Sequence, residues 1–170
     1  MADGKQPNDL GAFSADQGPD LGGEFSRLAD FMPYQLSVTS NAVSRLIAEQ
    51  YQVRFGLKIA EWRVMAVLGD IGSATQRQLA EATLMDKVAV NRACKVLGDR
   101  GLIEREPNSR DGRSHLLKLT DEGRSIHREV MPLVKKIEAD VFAAIGPDEF
   151  RELRSILKRV FDQTHALRKV

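Results

Sequence analysis

Cysteine is almost missing from these 170 residues. Cys94 stands alone, which excludes an internal disulfide framework and any paired-cysteine metal or redox motif. Only three histidines occur, His115, His127 and His165, and they share no metal-ligand spacing. A Gly-rich phosphate loop and a GxSxG elbow are absent too, so neither an enzyme nor a cofactor or metal is expected. No apolar run approaches the ~18 to 20 residues of a membrane span, and no signal-peptide pattern opens the chain, so the sequence reads as cytoplasmic with no membrane partner. Charge of one sign is lacking as well: 25 Lys and Arg against 24 Asp and Glu leave a net +1. The balance is uneven along the chain, because residues 1–30 hold two basic and six acidic residues whereas residues 57–120 hold eleven basic and eight acidic. Any affinity for nucleic acid must therefore come from placed contacts and from a second copy rather than from a broad basic field.

The segment from Asp86 to Gly123 is the most patterned part of the chain. Asp86 is a credible N-cap for a helix over Lys87 to Arg100, since its carboxylate can accept from the unpaired N–H groups of the first turn. Val90, Ala93, Cys94 and Leu97 fall at i, i+3, i+4 and i+7 and form an apolar stripe, which leaves Lys87, Asn91, Arg92 and Lys95 on other faces. Cys94 thus reads as a small core hydrophobe with a raised pKa rather than as a redox switch. Gly101 supplies the left-handed position that ends a helix, and Leu102 is placed to pack back on the last turn. Upstream, Thr75-Gln76-Arg77-Gln78 fits a capping box that opens a short helix from Gln76 to about Ala82. The brief connection between the two helices is that of a helix-turn-helix, in which the second helix enters the major groove of double-stranded DNA. A helical hairpin with a solvated charged face is the competing reading.

Downstream, residues 102–106 and 115–119 can pair as antiparallel strands across a turn-forming stretch from Pro107 to Ser114. The tip carries Arg110 and Arg113 on an arm suited to a narrow minor groove, and Asp111 is expected to hold Arg113 by a charge-assisted bond. The order of elements is that of a winged helix: mainly α, with a small β-hairpin wing.

These residues resemble the MarR family. Its signature of a recognition helix, a GLI strand, a wing with D-x-R and a closing L-T-x-x-G is matched by Gly101-Leu102-Ile103, Asp111-Gly112-Arg113 and Leu119-Thr120-Asp121-Glu122-Gly123. The resemblance covers about 140 residues when the flanking helices are included. It implies a homodimeric transcriptional regulator, usually a repressor, that binds a pseudo-palindromic operator and is released by a small ligand or by oxidation. By position, Asp111 and Arg113 match the wing pair, and Lys87, Ala89, Asn91 and Arg92 match the base-facing residues. Lys95, Arg110, Thr75 and Gln76 complete the expected DNA-contacting set. Gly112 departs from the charged residue usual in that wing slot, which permits a tighter or more mobile tip. Members that sense peroxide carry a reactive cysteine near the first helix, where this chain has none.

Three regions are expected: a disordered tail over 1–30, a winged helix-turn-helix over 57–120, and helical dimerisation segments over 31–56 and 121–170. The apolar residues of the terminal helices need a partner, and a second copy also matches a two-fold operator; a monomer with the three helices folded on each other is the competing reading. Pro147 is placed to start the final helix, and Pro132 should kink the one before it. The resemblance sets a ligand pocket between the first, second and fifth helices, where a small, possibly aromatic or phenolic effector would sit. Ser37, Ser40, Asn41 and Ser44 form a polar stripe beside the apolar one, with Trp62 as a wall and Met65 also on the second helix; a solvated stripe and a core tryptophan are the competing reading. A winged-helix protein-interaction module and a sensorless architectural DNA binder remain the alternatives.

Overall fold

Side-chain caps set where the helices begin. In the computed structural model, which describes residues 28–109 and 111–168, Thr75 Oγ1 accepts the Gln78 N–H at 3.2 Å while Gln78 Oε1 accepts the Thr75 N–H at 2.8 Å. That reciprocal pair opens helix α3, Gln76–Thr83. Asp86 Oδ1 accepts the Ala89 N–H at 2.8 Å and opens α4, Lys87–Asp99. Both starts fall where the sequence sets them.

The chain divides into two units. The first ends at Leu46; its described part holds a turn of 3-10 helix, Leu28–Asp30, and the opening half of α1, Met32–Phe55. The first 27 residues of the expected tail lie outside the described residues. The second unit, Ile47–Val170, holds the rest of α1, then α2 (Ile59–Ile71), β1 (Ser73–Ala74), α3, α4, β2 (Ile103–Pro107), β3 (His115–Leu119), α5 (Asp121–Phe142) and α6 (Pro147–Leu167). The strands form an antiparallel sheet in the order β1-β3-β2. Ile103 pairs with Leu119 and Pro107 with His115, so β2 starts and ends one residue later than expected. Pro107 can close that strand because β2 is an edge and has no further partner for a missing N–H. The two-residue β1 was not expected; Ser73 pairs with Lys118 and Ala74 with Leu117.

The core of the second unit is built on the expected stripe. Val90, Ala93, Cys94 and Leu97 are all buried, against Val64, Met65 and Leu68 of α2, Leu79 of α3 and Leu117 and Leu119 of β3. Each fully buried aliphatic side chain contributes roughly 1.5–3 kcal/mol of transfer free energy, so this stripe is what holds α4 in place.

The end of α4 is locked twice. Gly101 takes φ +67°, its N–H reaches the Gly98 carbonyl at 2.9 Å, and the Leu102 N–H reaches the Leu97 carbonyl at 2.9 Å. This is the doubly bonded left-handed stop that the glycine allows. Thr120 then clasps the same corner: its hydroxyl donates to the Gly101 carbonyl at 2.7 Å and accepts the Gly123 N–H at 3.1 Å, while its own N–H donates to the Leu102 carbonyl at 3.1 Å. One threonine thus caps α5 and ties it to the end of α4. Pro147 occupies the first turn of α6 as expected, and Pro132 lies inside α5, where its ring removes one helical hydrogen bond.

Candidate nucleic-acid interface

With its stripe buried, α4 turns a continuous face outward. Lys87, Asn91, Arg92 and Lys95 are exposed on it, and Ala89 is half-buried at its margin. Val88, which the sequence reading passed over, lies in the middle of that face and is 58% exposed. An apolar side chain held in water on the outward face of a recognition helix is suited to a thymine methyl group. The turn before α4 also departs from expectation: Leu84 sits in the left-handed region at φ +53°, without the glycine or asparagine that would signal it.

Two contacts fix α4 at its ends. Gln76, at the start of α3, donates from Nε2 to Asn91 Oδ1 at 3.3 Å. Arg100, just past the other end, donates to the Phe55 and Gly56 carbonyls at 2.6 and 3.2 Å, satisfying the end of α1. Its guanidinium also stands 4.0 Å from the buried carboxylate of Glu61 on α2. Reorientation of the C-terminal end of α1 would therefore pull directly on α4.

The wing corrects one expectation. Asp111 Oδ1 accepts the backbone N–H of Arg113 at 3.1 Å rather than gripping its guanidinium. The short aspartate side chain reaches a main-chain N–H two residues on, the usual local bond of aspartate in a turn, and this leaves the arginine side chain exposed. Asn108 and Ser114 close the loop with a side-chain bond of 2.8 Å, so the tip is a built turn. Arg110 lies outside the described residues. Between wing and α3 lies a cleft of about 860 Å³ lined by Thr75, Gln76, Arg77, Arg105, Asp111, Arg113 and His115, among others. Arg77 and Arg105 are further cations of this surface that the sequence reading did not single out. The outward faces of β2 and β3 carry an ion cluster in which Glu106 and Glu104 hold Lys118, and the Glu106 bond raises the lysine above its usual range.

The residues expected to bind a ligand fall in different settings. Ser37, Ser40 and Asn41 are exposed on the opening half of α1 and Ser44 is half-buried. On α2, Met65 is fully buried in the core, and Trp62 stacks on His127 at a ring-centre distance of 5.6 Å and meets Tyr51 in a tilted contact at 5.5 Å. Burial pushes the Tyr51 phenol up to about 12, with Glu61 adding to the rise and Arg63 opposing it. Burial also raises the Cys94 thiol, as expected for a stripe position. Among the described residues no cluster of His, Cys, Asp and Glu could hold a metal ion.

His127 adds a pH dependence. Burial holds its ring below the ordinary value of 6.5, because the imidazolium would lose water against Trp62 and the face of α2 at Gly69. A depressed pKa means that the neutral ring's contribution is complete above pH 6.5 and is lost as pH falls through the folded value. The melting temperature of the wild type should thus fall more between pH 7.5 and 5 than that of His127→Phe. Parallel curves for the two proteins would contradict this.

An outward recognition helix, a paired wing and a third short strand define a winged helix-turn-helix. Residues 55–114 match the MarR family model. An uncharacterised HTH-type transcriptional regulator of Bacillus subtilis, YwoH, is 28% identical over 130 residues, covering 76% of this chain and 93% of the relative. The structure resembles a mutant MarR from E. coli complexed with operator DNA at TM-score 0.68 and 26% identity, over 75% of this chain and 91% of that one. It also resembles the PcaV regulator of Streptomyces coelicolor in complex with its natural ligand, at TM-score 0.69 and 25% identity, over 80% and 95% of the two chains. The chain thus carries a MarR-type winged helix-turn-helix over residues 55–114 and resembles transcriptional regulators over about three quarters of its length. No helix among the described residues is long and apolar enough to cross a membrane.

Proposed function

We propose that this protein is a homodimeric, ligand-responsive repressor that acts in the cytoplasm on a pseudo-palindromic operator. Residues 57–120 serve as the reading head, with Lys87, Ala89, Asn91, Arg92 and Lys95 toward the major groove and Arg113 in the minor groove. The observation that carries this reading is the outward face of α4 beside a built wing whose arginine is left exposed. Residues 31–56 and 121–170 serve as the dimerisation region. Its support is the exposed apolar side chains of α6, Ile156, Leu157, Val160, Phe161 and Leu167, and separately those of the opening half of α1, Met32, Leu36 and Leu46. A solved relative bound to operator DNA and another bound to its natural ligand make both partner classes reasonable for this chain.

Arg113→Ala should weaken operator binding by about 1–3 kcal/mol, the usual value of one specific arginine contact. Unchanged affinity in that variant would remove the wing from the interface. The effector is expected to act by population shift, favouring a spacing of the two heads that no longer matches successive major grooves. The ties from Arg100 to the end of α1 and to Glu61 of α2 support such a path. A thermal-shift screen with aromatic acids and phenols, followed by operator release, tests this part. A compound that binds tightly yet leaves operator affinity unchanged would contradict it.

A further inference from the structure

We infer that Gln76 is a positioning residue that fixes which end of the Asn91 amide faces the DNA, and thereby sets the base preferred at that position. The inference rests on the DNA-reading role proposed for α4. Gln76 stands half-buried at the first position of α3, and its Nε2 donates to Asn91 Oδ1 at 3.3 Å. Gln76 thus ties the start of α3 to a residue on the outward face of α4.

An asparagine amide has two ends of opposite character, a carbonyl that accepts and an NH₂ that donates, and an unheld amide can present either. With Gln76 donating to Oδ1, the Nδ2 end is directed away from α3. The leading group of Asn91 is then a donor. In the major groove, adenine, guanine and thymine each offer an acceptor, whereas cytosine offers only its N4 amino donor. Oδ1 keeps a second lone pair, so adenine, which presents N7 as acceptor and N6 as donor, satisfies both ends at once. Adenine is preferred and cytosine is rejected.

The test is selection from an operator library randomised one position at a time, using the full chain. The wild type should disfavour cytosine about tenfold at one position of each half-site. Gln76→Ala should relax preference there to the level of Asn91→Ala, leave the other positions as they were, and add nothing in the double variant. Gln76→Glu should go further: a carboxylate only accepts, so it turns the Nδ2 end inward and moves the preference toward cytosine. Wild-type preference in Gln76→Ala and Gln76→Glu, or a loss spread evenly over all positions, would overturn the inference. A wild type that selects no sequence would instead overturn the DNA-reading role, and this inference with it.

Discussion

Gly123→Ala should destabilise the protein by about 3 kcal/mol, at the upper end of what an overpacked buried site costs. A Cβ at this position would stand 2.1 Å from the Leu102 carbonyl oxygen and 3.1 Å from its carbon. Those atoms are backbone, and they cannot step aside as a flexible side chain would. The same carbonyl accepts the Thr120 N–H, and the Thr120 hydroxyl bridges Gly101 and Gly123, so a shift here breaks the clasp between α4 and α5. Gly112→Ala is the control, because nothing among the described residues lies within 4 Å of its added methyl group. Urea unfolding of both variants checks the contrast. A Gly123→Ala midpoint equal to that of Gly112→Ala would show that the α4–α5 corner is looser than described.

Val160→Glu should abolish the proposed dimer and lower operator affinity by more than about a hundredfold, the scale of avidity lost when two linked sites become one. Val160 is 47% exposed in the single chain, flanked by Ile156 and Phe161 at similar exposure, so a glutamate there does not disturb the monomer's own core. Opposite a second copy it would bury an unpaired charge. Light scattering should give twice the 18.9 kDa chain mass for the wild type and that mass once for the variant. A variant that stays dimeric would move the interface away from α6.

The two helices of the motif were legible because periodicity and capping agree at each level. The spacing of Val90, Ala93, Cys94 and Leu97 fixes one buried face, and the Asp86 and Thr75 side chains fix where each helix begins. What was missed has no local signal. The two residues of β1 become a strand only because β3 lies beside them, and Leu84 takes its positive φ in the three-residue link between α3 and α4. Aspartate in a turn can bond either a nearby cation or a main-chain N–H, and only the folded loop decides for the latter at Asp111. The outward position of Val88 was within reach, since its helical angle follows from the stripe, but an apolar residue does not advertise a binding role. The Gln76–Asn91 bond lies beyond sequence reading, because it depends on how two helices cross.

The most direct measurement is a nuclease footprint of the purified protein on the DNA upstream of its own coding sequence. Two protected half-sites one helical turn apart, related by an inverted repeat and lost together in Val160→Glu, are the expected result. Absence of sequence-specific protection at salt low enough to favour phosphate contacts would contradict the role of α4 and the wing as a DNA-reading surface.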